Sequence, residues 1–242
     1  MLTWNLPDDL CQIPAGKMQT AKTIYKYFEG TIPSSLIDYV QMQTATINRI
    51  EFAIYHYQIL NLAYGFATVP TYTQQDSVAR AEMNAIILNL IGALDCMSHE
   101  INTILNLQIN EREVTFGHNH KQGMNNCIIC RIHTTHPQVA NFLASIITND
   151  WFKELKEYRN HIHKRLPVIQ VSMVVGGPFR KITLPDDPSN YNPQLPDYSK
   201  KLEIQEYCRD RIDKVMAAIE ELYHKLHPQI KQYVSTKRTA NP

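Results

Sequence analysis

The chain has 242 residues, 44% of them hydrophobic, 19% charged and 9% aromatic, a balance that buries a core and excludes a disordered tail or linker. Its 24 lysines and arginines against 23 aspartates and glutamates leave a formal charge of +1, so no global positive field draws it to nucleic acid or to an anionic membrane, and any such partner must be held by a local patch. No run approaches the roughly 20 uninterrupted apolar residues of a membrane helix, the opening MLTWNLPDDLCQIP is acidic and proline-broken, and five cysteines are an odd number in a chain long enough to fold without staples. The expectation is a cytoplasmic protein with reduced thiols and no membrane contact.

Residues 1–33 read as an N-terminal extension. From Ser34 or Ser35 to about Phe66, apolar residues including Ile37, Val40, Ile47, Ile50, Ile54, Tyr57 and Leu60 recur at three- and four-residue steps, the period of one helix face. Pro33 with the two serines starts this helix, and Gly65 and Pro70 stop it. Ala67 to Gln75 reads as a loop. Asp76 then caps a second helix through Ala79, Met83, Ile86, Leu90, Leu94, Met97, Ile101 and Leu105, whose stripe Ile87 and Ile91 widen enough to predict a central position. Polar residues there, Asn84, Asn89, Asp95, His99 and Glu100, need partners, because an unsatisfied buried group costs about 1 to 3 kcal/mol.

Asn110 to Thr135, with two glycines and the Asn125-Asn126 pair, breaks the period and reads as a long loop holding a short extended piece over Glu111 to Phe116. Pro137 opens a short helix to about Thr148. Asn149 or Asp150 caps another, Trp151 to about Arg165, with Pro167 ending it. VIQVSMVVGGPFRKITL, Val168 to Leu184, is β-branched on both sides of Gly176-Gly177 and predicts a hairpin. After a proline-rich connection, Ser199 to about His227 returns to helical period until Pro228 ends or kinks it. The last eight residues fray. The fold class is mainly α, an antiparallel bundle of four principal helices with an appended hairpin, in one domain over residues 34–234.

Three constellations bear on chemistry. The first is Tyr158-Arg159-Asn160-His161-Ile162-His163-Lys164-Arg165. Arg159 and His163 are four apart, so one helix face carries both and their heads can converge on one anion. A guanidinium pairs with two phosphate oxygens, and an imidazole titrating near neutrality can take a proton from a ribose 2′-hydroxyl or return one to a leaving oxygen. Lys164 and Arg165 add positive potential that favours the neutral, basic imidazole. Against this stands the plain fact that cations gather at helix C-termini because the dipole favours them.

A helical bundle carrying Arg-Asn followed shortly by His at the end of a late helix resembles the HEPN superfamily, whose hallmark is an arginine, often with a polar residue directly after it, and then a histidine. Arg159, Asn160 and His163 match those positions, with three residues between Arg159 and His163, one fewer than the usual pattern. The resemblance implies a metal-independent endoribonuclease that needs no cofactor, a homodimer whose motif helices meet across a cleft. Such enzymes cut RNA by 2′-hydroxyl attack and leave a cyclic phosphate. It also implies roles: His163 as general acid or base, Arg159 stabilising charge on phosphate, Asn160 orienting the motif. Many members act in toxin–antitoxin or antiphage systems, which makes an antitoxin partner an expectation, and others only bind RNA. A polar residue from the second long helix commonly joins such a site, and Asp95 and Glu100 are the candidates here.

The second constellation is His118, His120, Cys127, Cys130, His133 and His136 within one glycine-containing loop. The two-residue gap of Cys127-Ile-Ile-Cys130 lets both sulfurs reach one tetrahedral zinc, with His133 and His136 as further ligands, and a structural zinc would order the loop. The competing reading makes the cysteines small buried residues. The third, Glu221-Leu-Tyr-His224, has the E-x-x-H spacing of di-metal bundles, but no second copy occurs and it reads as a solvated face. Glycine-rich phosphate loops, G-x-S-x-G elbows and H-E-x-x-H motifs are absent from the sequence. The alternative to a ribonuclease is therefore a non-catalytic helical interaction module with a zinc-ordered loop.

Overall fold

A computed structural model of the protein describes residues 17–28, 32–65, 72–116, 127–162, 170–173, 180–185 and 198–239. Among them the chain is mainly α. The helices are α1 (Gln19–Tyr25), α2 (Ile37–Gly65), α3 (Tyr72–Ile104), α4 (Ile128–Ile132), α5 (Pro137–Thr148), α6 (Asp150–Ile162) and α7 (Ile204–Thr239). The predicted hairpin is present as β1 (Gln170–Met173) and β2 (Arg180–Leu184), antiparallel with Gln170 opposite Thr183 and Met173 opposite Arg180. A two-residue strand, β3 (Leu202–Glu203), extends it on the far side of β2.

Five local expectations change. Ile128–Ile132, inside the segment that reads as a loop, is the short helix α4, capped by the Cys127 sulfur. α3 starts at Tyr72 rather than at Asp76, because nothing between Pro70 and Asp76 breaks a helix and continuing the backbone bonds wins over a side-chain cap. Glu111–Glu113 is a 3-10 turn capped by the Asn110 side chain rather than an extended piece. Leu202–Glu203 pairs with β2 before α7 begins, where the pattern alone reads helix. α7 runs through Pro228 to Thr239, since the buried Leu226, Ile230 and Val234 continue the apolar stripe beyond the proline, and their burial outweighs the one backbone bond a proline removes.

The described chain forms two compact units, and α2, α3 and α7 each give one stretch to each. The first unit holds residues 50–91 and 150–214. Ala53, Leu60, Met83, Ile86, Leu90, Phe152, Leu155, Tyr207 and Ile212 form its core. Polar contacts tie its helices: His56 Nδ1 to Glu82 Oε2 at 2.7 Å joins α2 to α3, and Gln205 donates to Asn61 at 3.1 Å, joining α7 to α2.

The second unit holds residues 13–49, 92–149 and 215–242. Here Thr103 against Met42 and Glu100 against Thr46 pair α2 and α3 in opposite directions, as Tyr39 against Tyr233, with Ser35 in the turn just before α2 against Lys237, does for α2 and α7. The antiparallel arrangement is thus written in side-chain contacts. α1, inside the predicted extension, is part of this unit. No side chain of its own caps it, and the Glu220 carboxylate of α7 accepts instead from the backbone N–H of Thr20 at 2.7 Å and of Ala21 at 3.4 Å, placing negative charge where the helix dipole favours it. α3 ends in a left-handed Asn106 (φ 49°), and Asn102 then makes a reciprocal pair of bonds with the Ile109 backbone at 3.0 and 3.1 Å.

By length and composition, Ser77–Ile104 of α3 is apolar enough to cross a membrane, although its apolar residues are broken by polar ones. Its apolar side lies in the cores just described: Met83, Ile86, Ile87, Leu90, Ala93, Leu94, Met97 and Ile101 are fully buried. Truncating Leu90 to alanine is expected to cost about 3 kcal/mol in urea unfolding, the transfer and cavity terms together. The same change at exposed Leu88 should stay within about 0.5 kcal/mol.

Candidate functional site

The motif helix α6 belongs to the first unit, and its position follows from its pattern. Phe152, Leu155 and Tyr158 recur every three residues and are buried, which fixes the inner face, while Asp150 sits in the first turn, where negative charge suits the dipole. Tyr158 donates to the Met83 sulfur at 3.4 Å. Burial first, then the nearby Cys208, push its phenol well above the ordinary value, so it stays a neutral donor.

Next to it, α7 supplies Arg211, only 8% exposed. Its guanidinium donates to Glu154 at 2.7 Å and to Asp210, and lies over the Tyr207 ring at 4.6 Å. The other Glu154 oxygen and the Arg211 Nε are buried without a hydrogen-bond partner among the described residues, so the pair relies on charge rather than on a complete set of bonds. This ion pair pins α6 midway along its length, and the stack on Tyr207 of the same helix holds the Arg211 guanidinium in place for it.

The last turn of α6 carries half-buried Arg159 and exposed Asn160. His163 lies outside the described residues, as do His118 and His120.

The two candidate supporting carboxylates lie in the second unit and are both engaged. Asp95 accepts from the Phe116 backbone N–H at 3.0 Å. Glu100 is fully buried, with Thr46 at 2.5 Å from Oε1 and the Tyr223 hydroxyl donating to Oε1 at 2.9 Å and Oε2 at 3.1 Å. Neither arrangement presents Glu100 to a substrate. Desolvation raises its carboxyl to about 8, against hydrogen bonds from Thr46, Tyr223 and Tyr39 that pull the other way.

Thr46 Oγ1 also lies 3.2 Å from the Met42 carbonyl one turn back, which can only accept. Thr46 has one proton to share between Glu100 Oε1 and the Met42 carbonyl, and Tyr223 donates to the carboxyl group. Tyr39, Gln43 and Thr46, at i, i+4 and i+7, form a polar stripe on the inner face of α2. Both amide atoms of Gln43 are buried there without a partner among the described residues.

In the Cys/His segment, Cys127 caps α4, its sulfur accepting from the Cys130 backbone N–H at 3.3 Å. The hydrogen bond between the two side chains, then partial burial, push the Cys130 thiol up to about 11. His133 Nδ1 meets the Cys130 carbonyl at 2.8 Å and His136 Nδ1 meets Thr135 at 2.9 Å. Among the described residues, no group of three or more His, Cys, Asp or Glu side chains is arranged to hold an ion. Glu221 is paired with Lys225 at 2.8 Å and His224 is exposed, the solvated face that the lone E-x-x-H predicts.

Pattern reading alone missed Glu154, Arg211 and Thr46, and it offers Tyr223 as one of several tyrosines beside cations that could stack on bases, not as the partner of Glu100. A threonine and a glutamine inside an otherwise apolar stripe of α2 are the one signal that marks the Glu100 cluster. No family model, no curated protein and no solved structure matches the chain.

Two outcomes follow. Glu100 binds its proton up to about pH 8 in the folded protein and only to about 4.5 when unfolded. Its contribution to stability is therefore full below 4.5 and is lost as pH rises to about 8, amounting to about 3 kcal/mol by pH 7. In unfolding curves taken from pH 4 to pH 9 (about, spanning both limits), Glu100→Gln should remove that slope and leave the variant more stable than wild type at the alkaline end. Arg211→Ala, which strands Glu154, should cost about 3 kcal/mol by the same measurement, and Arg211→Met with Glu154→Leu should recover most of it.

Proposed function

We propose that the protein is a HEPN-like, metal-independent endoribonuclease of the cytoplasm, working as a homodimer, with Arg159, Asn160 and His163 as its reactive group. The observation that carries this reading is the anchoring of α6: a helix pinned by Phe152, Leu155, Tyr158 and the Glu154–Arg211 pair that ends in Arg159 and Asn160, with His163 directly after it in sequence. Preorganisation of this kind matters, because a phosphate contact held on a rigid element stabilises charge without reorganising as it develops.

In this mechanism the Arg159 guanidinium pairs with the non-bridging oxygens of the scissile phosphate. His163 takes the 2′-hydroxyl proton, the 2′-oxygen attacks phosphorus, and the 5′-oxygen leaves with a proton to give a 2′,3′-cyclic phosphate. Asn160, exposed at the helix end, orients the group. Neither Glu100, whose carboxyl is enclosed, nor Asp95, held by the Phe116 amide, is assigned a step. A protein antitoxin partner fits the same reading.

The test is cleavage of RNA by the purified protein in EDTA, scoring cyclic-phosphate ends. Wild type should cut, and Arg159→Ala and His163→Ala should each lose about 100-fold or more, with a smaller loss for Asn160→Ala. Intact RNA with well-folded wild type, or variants that cut equally well, would replace this reading with a non-catalytic interaction module.

A further inference from the structure

We propose that Cys127 and Cys130 are a redox pair that closes a reversible disulfide by exchange with a small-molecule disulfide, Cys130 reacting first and Cys127 resolving. The proposal does not depend on the ribonuclease reading. It rests on three observations in the second unit.

The two cysteines are held one helical turn apart. Cys127 has an extended backbone (φ −86°, ψ 114°) immediately before α4, so the chain turns there and brings residue 130 back over residue 127. The Cys130 backbone N–H reaches the Cys127 sulfur at 3.3 Å, which sets the buried sulfur against the first turn of α4 that carries Cys130. Among the described cysteines, Cys96 is half-buried and Cys208 fully buried, and no such contact joins either of them to another thiol.

The pair is asymmetric. Cys130 is exposed, whereas Cys127 is 2% exposed. A dissolved disulfide reaches Cys130 and cannot reach Cys127.

Cys127 also lines a small cleft with Ser98, Phe116, Ile128 and Leu143. A group carried by Cys130 is held beside a second sulfur that solvent reagents do not reach.

The exchange balances. The Cys130 thiol, although held up at about 11, is the one open to solvent, and its small thiolate fraction attacks one sulfur of a disulfide such as oxidised glutathione and expels one thiolate, leaving a mixed disulfide on Cys130. The Cys127 sulfur, on losing its proton, attacks the Cys130 sulfur and expels the second thiol. Two protein thiols become one disulfide, one small disulfide becomes two thiols, and the two protons leave with them. No metal enters the reaction, and a zinc ion held by the same two sulfurs would block it.

The test treats the full chain, carrying Cys11→Ser, with excess oxidised glutathione, and follows intact mass and alkylated peptides. The pair in its otherwise natural setting should lose the mass of two hydrogen atoms, with the bond mapped to Cys127 and Cys130 and reversed by dithiothreitol. Adding Cys127→Ser should trap glutathione on Cys130, and adding Cys130→Ser should leave Cys127 unmodified over the same time. Cys208 must stay unalkylated before denaturation, which certifies the fold of each variant; if a variant unfolds, the mapping in the parent protein decides. A glutathione adduct that persists on Cys130 in the parent, equal modification of the two single variants, or stoichiometric bound zinc that protects both thiols would overturn the proposal.

Discussion

The burial of α3 is the constraint on which both units depend. Its apolar residues follow the helical period over the whole element, so both units are built partly on this one helix. The polar residues on it are satisfied where they fall in two ways, with Asn84 Oδ1 left buried and without a partner among the described residues. Asn89 and Ser98 donate to the carbonyls of Ala85 and Leu94, one turn back along the same helix. Glu82, Asp95 and Glu100 reach out to other segments, to His56, the Phe116 amide and the Thr46–Tyr223 pair. The second kind of contact fixes register as well as satisfying a group, because a helix shifted by one residue would turn each carboxylate away from its partner.

The two units handle interior charge differently. In the first, Arg211 is shared between Glu154 and Asp210, and the partial exposure of both carboxylates keeps the cost of desolvation low. In the second, Glu100 is surrounded by hydroxyl groups, with no cation among the groups that perturb it. A carboxylate there would have neither water nor a counter-charge, and holding a proton is the less costly state. One pair is an electrostatic clamp on the motif helix. The other is a neutral hydrogen-bonded node that joins α2, α3 and α7.

This contrast separates positioning from chemistry. The clamp holds α6, whose end carries the residues proposed to meet RNA, while the node is closed to solvent and acts only on the packing of its own unit. The dithiol stands apart from both, at the surface, where one sulfur is open to reagents and its neighbour is shielded. Its reactivity follows from that difference in access, a feature that a two-residue spacing between cysteines allows but does not create.

Much of the architecture was legible from period alone: α2, α3, α5, α6 and α7 are long or sharply bounded amphipathic segments, and Gly176-Gly177 between β-branched runs announced the hairpin. The fold class and Arg159-Asn160 at the end of α6 were readable in the same way, because period and motif are local properties. The start of α3, the passage of α7 through Pro228, the docking of α1 by Glu220 and the β3 strand were not. Each is decided by a contact between residues distant in sequence or by burial that outweighs a local signal. The same holds within the sites: period places Glu100 and Arg211 on helices and leaves Cys127 in a loop, whereas packing makes one an enclosed acid, one a clamp and one a shielded thiol capping a short helix, since burial and partners belong to the packed chain and not to any residue in it.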